Sequence, residues 1–275
     1  MSETSELVRE RYGVDVDVAD MMNETLRSIL SHQTCRAFSD KPIDDQTLRL
    51  LISCAQSAPT KSNLQQYSII VVRDADLRRR MGDLVPSMAW LATAPVALVF
   101  LGDLRRIREL AKLRGHDYQN DNVDTFMNGA VDAAVAMQNL IVAAESIGLG
   151  TCPVSYVRNR LDDLAEILSL PDGVFPICTL TIGHPVGRRR ASMRLAQDIV
   201  VHQDKYDDHD LSDEITSYDD RAHERFAIAP EKQRHTDKYG VLEKCTWSEN
   251  VTRQLSLPER PEFRDYLARK KISLD

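Results

Sequence analysis

The sequence predicts a central β-sheet covered by helices on both sides, and three observations lead there. Three short runs, residues 67–73 (YSIIVVR), 95–101 (PVALVFL) and 175–182 (FPICTLTI), are rich in β-branched residues and apolar on both faces. Strands of that kind lie inside a sheet, not at its solvated surface. Between the second and third runs lies a long segment, residues 123–147, whose apolar positions Ala130, Ala133, Ala134, Met137, Leu140, Ile141 and Ala144 cover a wide face. A helix apolar over so much of its circumference is buried, either centrally or between subunits. Shorter helical patterns on either side of these runs supply the covering layers.

In chain order, residues 18–31 predict a first helix with Met22, Leu26, Ile29 and Leu30 on one side. An extended piece, HQTCRAFSDKPI, follows it. Asp44 or Asp45 then caps a second helix through Leu48, Leu51, Ile52 and Ala55, which stops before Pro59. After the first two strands, the long helix ends at Gly148-Leu149-Gly150. Another helix, near residues 159–168, presents Leu161, Leu164, Ile167 and Leu168 and is ended by Pro171. Beyond Gln203 the chain is acidic and then mixed in charge, with weak periodicity. A last helix starts at Pro261 and closes on Arg269, Lys270 and Lys271, cations suited to the negative end of its dipole.

At 275 residues the chain has room for one large domain or two small ones. Its composition, 43% apolar and 28% charged, is that of a globular protein. A formal net charge of −7 argues against nucleic acid as a partner, because nothing offsets repulsion from phosphates. The charged N-terminus has no apolar signal core, and the apolar stretch at 89–101 is too short to span a bilayer. The five scattered cysteines form no C-x-x-C pair and the seven histidines no metal-ligand spacing. A reducing, cytoplasmic setting without a metal centre is therefore expected.

Four clusters carry groups capable of chemistry, and each also reads as ordinary structure. His32, Thr34 and Arg36 alternate along an extended segment and would line one surface, an imidazole, a hydroxyl and a guanidinium suited to a phosphate. The same segment reads equally as a solvated turn after a helix. The loop PTKSNLQ (59–65) is dense in hydrogen-bonding side chains, as functional loops and plain connections both are. Residues 151–156 (TCPVSY) leave a buried helix through two glycines, which would let backbone approach a planar ligand or simply cap the helix. Finally, Arg188, Arg189, Arg190 and Arg194 crowd a short span after GHPVG, either as cations for a phosphate or as a solvated charge run. No G-x-G-x-x-G, P-loop or G-x-S-x-G motif is present, which disfavours a Rossmann site, a P-loop NTPase and an α/β-hydrolase.

Taken together and in order, HQTCRAF with DKPI, APTKSNLQQYSIIVVRD, VDAAVAMQNLIVAAESIGLG, GHPVG, WSENVTRQL and RPEFRDYL resemble the nitroreductase/flavin reductase family over about residues 23–272. The resemblance implies an α+β fold with a central mixed sheet flanked by helices, and a homodimer with FMN at its interface. It implies a core of residues 1–203 and a C-terminal arm of residues 204–275 packed on the core and the partner subunit. His32, Gln33, Thr34 and Arg36 would hold the FMN phosphate and ribityl chain, with Cys35 contributing mostly backbone. Thr60 would reach the neighbouring subunit's flavin, with Asn63 and Gln65 near it. Pro153, Val154, Ser155 and Tyr156 would lie along the ring and offer it backbone N–H groups. Ser192 and Arg194 would complete the phosphate site, and Arg260 would bind the adenylate phosphate of NADPH.

The chain departs from that pattern at three places. Ser192 stands where the subgroup usually has lysine, with Arg188, Arg189 or Arg190 as substitutes for the missing cation. Ser155 and Tyr156 stand where glycines are usual, and Met88 replaces a ring-contacting glutamine. The implied activity is hydride transfer from NADPH or NADH to nitroaromatics, quinones or free flavin, in ping-pong fashion and with no side-chain general acid. Three other readings remain open at this level: a dehalogenase-like or flavin-fragmenting enzyme on the same scaffold, a flavin-binding protein without turnover, and a dimeric structural protein without cofactor.

Overall fold

The computed structural model describes residues 2–187 and 190–275. These divide into two compact units, one of residues 32–187 with 260–275, the other of residues 2–31 with 190–259.

The larger unit is built on a four-stranded sheet: β1 (Tyr67–Val72), β2 (Val96–Asp103), β3 (Gly150–Val154) and β4 (Val174–Gly183), in the order β1-β2-β4-β3. All three pairings are antiparallel, so within this chain the sheet is not mixed. The α+β class itself stands. β2 is buried along its whole length, as its doubly apolar sequence predicts. Its side chains alternate between two cores: Ala97, Val99 and Leu101 enter one, Val96, Leu98 and Phe100 the other. The second core is roofed by the helices Asp45–Gln56 and Val123–Ser146, through Leu48, Leu51, Ala133, Ala136, Leu140 and Ala144. The first is closed by the helices Ala75–Asp83, Leu161–Ile167 and Phe263–Arg269, the last burying Tyr266 and Leu267.

β4 carries Pro176 in the middle of a sheet, where a residue without N–H is out of place. The register slips there, Leu101 facing Pro176 while Phe100 faces Cys178, so the proline stands at a bulge. Pro153 avoids the problem differently, because β3 is an edge strand.

Helix starts follow their caps. Asp44 accepts the Thr47 N–H at 2.8 Å, and Asn122 does the same for Thr125 at 3.1 Å. At the far end of the long helix, Gly148 takes φ +81°, a left-handed stop that glycine adopts without strain. By length and composition this helix could cross a bilayer. Here its buried residues pack on the sheet, and its Asp132 is buried in bonds to a loop.

The smaller unit has a modest core of Met193, Tyr218 and Ala222 with Leu195, Phe226 and Trp247 around it. Buried Asp219, in the helix Leu211–Phe226, accepts the N–H (2.9 Å) and the hydroxyl of Ser248 at the start of the helix Trp247–Leu255. The sequence missed the first of these helices because its charged residues leave little apolar pattern. It also missed the helix Glu3–Tyr12, which is bounded by the Ser2 cap and by Gly13 at φ +75°. The helix expected over 18–31 starts only at Glu24, since Asn23 caps it through Leu26 N–H at 2.9 Å.

Gly102 of β2 lies opposite Phe175, and a Cβ there would meet the phenyl ring at 2.2 Å. Replacing Gly102 by Ala is therefore expected to cost about 1–3 kcal/mol through overpacking, measured by urea denaturation. The double change with Phe175→Leu should recover part of the loss.

Candidate functional site

The segment 32–36 is fixed by its one inward residue. Cys35 is fully buried; its N–H donates to Thr151 O at 2.8 Å and its thiol to Ala37 O at 3.1 Å. Its side chain fills the space beside Gly150, where a Cβ would stand 2.6 Å from Cys35 Cβ. Gly150 thus serves a protein side chain, whereas a Cβ at Gly148 would meet nothing within 4 Å. With Cys35 inside, Arg36 is exposed, and His32, Gln33 and Thr34 are partly so. Beyond Cys35 the exposure does not alternate: Gln33 is partly exposed like His32 and Thr34, and Ala37 is exposed like Arg36.

Two neighbours invisible to that reading orient Arg36 and His32. The Arg36 guanidinium lies over the Trp90 ring, 5.7 Å from its centroid, a cation–π arrangement. The same guanidinium reaches Cys152, whose thiol burial pushes up while Arg36 draws it down. His32 Nδ1 lies 2.9 Å from both carboxylate oxygens of Glu145. Thr151 Oγ1 donates to that same carboxylate at 2.8 Å.

GHPVG returns to this segment from far along the chain. Ser39 N–H donates to His184 O (2.9 Å), Val186 N–H donates to Ala37 O (3.1 Å), and Phe38 bridges Pro185. Arg188 and Arg189, named as possible substitute cations, lie outside the described residues.

The end of β3 runs alongside. Val154 is buried in the sheet core, whereas Pro153, Ser155 and Tyr156 are exposed. Proline has no N–H, so backbone donors on this stretch come from its later residues. Ser155 and Tyr156 open the short 3₁₀ helix Ser155–Arg160. Met88 packs partly buried against the first core.

The loop after Thr60 is tightly wound: Ser62, Asn63 and Gln65 all have positive φ, at 49°, 56° and 52°. Non-glycine residues hold that conformation only where their surroundings impose it. Asp132 does so here, accepting the N–H of Lys61 at 3.2 Å and of Gln66 at 2.9 Å. Thr60 Oγ1 is buried and has no hydrogen-bond partner among the described residues.

Ser192 and Arg194 belong to the smaller unit. Both are exposed, and Arg194 Nη1 donates to Ser192 Oγ at 2.6 Å. Buried Arg11 holds this stretch through Ser192 O (2.8 Å) and also donates to Leu30 O (2.7 Å). Burial and the nearby Arg194 lower the Arg11 pKa from its ordinary value. Arg260, in the larger unit, sits at φ 56° just before the C-terminal helix. Thus the structure gathers residues 32–36, Trp90, Glu145, β3 and GHPVG within one unit. Asp132, Glu145, Trp90 and Arg11 carried no sequence signal, since each acts through contacts made only on folding.

Two family models match the chain: Nitroreductase family over residues 29–184, and Nitroreductase family, C-terminal domain, over residues 192–275. The chain belongs to the nitroreductase family. An FMN reductase [NAD(P)H] of Bacillus subtilis is 33% identical over 258 residues, covering 92% of this chain and 100% of that one. The oxygen-insensitive NADPH nitroreductase of Salmonella typhimurium is 30% identical, covering 90% and 97%. Among solved structures, the NADPH:FMN oxidoreductase from Vibrio harveyi complexed with NAD+ superposes with a TM-score of 0.79 at 31% identity, covering 90% and 98%.

Because Asp132 closes the 60–66 turn, Asp132→Ala leaves two backbone N–H groups without their acceptor. A loss of about 1–3 kcal/mol is expected, with faster amide exchange at Lys61 and Gln66. Unchanged exchange there would remove Asp132 as the clamp.

Proposed function

We propose that this nitroreductase-family protein is an FMN-dependent NAD(P)H oxidoreductase acting on nitroaromatics, quinones or free flavins. The observation that carries the reading is the pre-set Arg36: exposed, stacked on Trp90 and anchored beside β3 by buried Cys35. An arginine whose plane is already oriented loses little freedom when it takes a phosphate in two parallel hydrogen bonds. The donor set suits FMN. An imidazole, a guanidinium and a hydroxyl stand on one segment for an anionic tail, and the orphaned hydroxyl of Thr60 awaits a polar partner. Bound FMN would supply the hydride chemistry that links NADPH or NADH to the acceptor.

In this reading His32, Gln33, Thr34 and Arg36 hold the phosphate and ribityl chain. Cys35, its N–H already given to Thr151, acts as the anchor. Pro153, Ser155 and Tyr156 border the ring, and the N–H groups of Ser155 and Tyr156 are donors available to it. Such dipoles stabilise negative charge that develops on a reduced ring. Tyr156, where relatives of the subgroup carry glycine, narrows the access for acceptors. Ser192, Arg194 and Arg260 are assigned from their sequence motifs, the first two to the flavin phosphate and the last to the nucleotide.

The reading includes a cytoplasmic homodimer. Val123, Met127 and Val131 recur every four residues along the long helix and are about half exposed, an apolar stripe suited to a second copy. Thr60 then serves the partner's flavin, and the arm packed on the partner is drawn from residues 204–259, since residues 260–275 belong to the larger unit.

The purified protein should be yellow, and anaerobic NADPH or NADH should bleach it within seconds. Arg36→Ala should weaken FMN binding by about a hundredfold, the loss of a two-point charged contact, read by flavin fluorescence titration. A colourless protein that takes up no added FMN would defeat the proposal.

A further inference from the structure

Glu145 is an electrostatic misfit in its own helix. It stands in the last turn of Val123–Ser146, where the backbone dipole is negative and a carboxylate is disfavoured. Its side chain is only 11% exposed, and a shielded carboxylate needs donors. Thr151 Oγ1, from β3, supplies one at 2.8 Å, and His32 Nδ1 is 2.9 Å from each oxygen. An ionised carboxylate only accepts hydrogen bonds, so Nδ1 must carry the proton in this contact.

That assignment has a consequence on the other side of the ring. With one proton held at Nδ1, the neutral imidazole has a lone pair at Nε2, which repels a phosphate oxygen. A phosphate contact through Nε2 therefore needs the doubly protonated ring, which alone offers N–H at both positions, one of them given to Glu145. The geometry points to Glu145 as a positioning residue that takes Nδ1–H of His32 and so sets Nε2 as the ring nitrogen that meets the phosphate. The inference rests on the proposed role of residues 32–36 in gripping that phosphate. Glu145 touches no ligand in it and acts through His32.

Riboflavin separates this role from a purely structural one, because it shares the ring and ribityl chain of FMN and lacks the phosphate. Flavin-stripped wild type, Glu145→Gln, His32→Ala and the double variant should be titrated with both flavins. Glu145→Gln should weaken FMN about tenfold, the size of one charge-assisted hydrogen bond, and leave riboflavin within about twofold. The double variant should lose no more than His32→Ala alone, since the two residues act as one unit. Equal losses for both flavins, or FMN affinity unchanged in Glu145→Gln, would overturn the inference. If His32→Ala and Arg36→Ala also keep wild-type FMN affinity, the phosphate reading itself fails. A second measurement needs no variant: ¹⁵N spectra of histidine-labelled wild type should show Nδ1 of His32 protonated, and a bare Nδ1 would sink the pairing even if every variant misfolded.

Discussion

The packing of Cys35 against Gly150 is the constraint on which the site depends. A side chain can lie there only because the opposing residue has no Cβ, and the Cys35 N–H bond to Thr151 locks the register. Once that inward residue is fixed, the pleat of an extended chain decides the rest. Its neighbours must face outward, and Arg36 emerges over Trp90. Neither the cysteine thiol nor the glycine needs any chemistry of its own. Burial raises the pKa of the nearby Cys152 thiol, which makes it a poor nucleophile at neutral pH.

The strands were legible because burial on both faces forces a composition that few other structures tolerate. Residues 96–103 are apolar in every position but the last two, and all are buried. β3 was not legible: GTCPV is short, starts on glycine and contains proline, and only its pairing with β4 makes it a strand. The helix Leu211–Phe226 escaped for the opposite reason, since its apolar face is reduced to a few residues such as Tyr218, Ala222 and Phe226. Within the site, polar residues such as His32 and Arg36 could be named from the sequence. The residues that orient them lie 113 and 54 positions further along, at Glu145 and Trp90. No local pattern connects such pairs, because contact between them is a property of the fold.

The long helix explains why two distant parts of the chain are both held so firmly. It carries two shielded carboxylates, Asp132 and Glu145, thirteen residues apart, and so separated by about 20 Å along its axis at 1.5 Å per residue. Asp132 fixes the loop after Thr60, and Glu145 fixes His32. Neither carboxylate could be exchanged for an apolar residue without releasing backbone or ring from its set position. A helix is stiff over that length, so the two anchored pieces keep their spacing whatever the loops around them do. The separation also bears on the proposed dimer. In that proposal Thr60 serves the partner's cofactor, and the loop that carries it is held at Asp132, while His32 is held at the far end of the helix, at Glu145. The outward stripe of Val123, Met127 and Val131 lies in the same N-terminal half of the helix as Asp132, so the face offered to the proposed second copy and the anchor of the Thr60 loop share one rigid stretch.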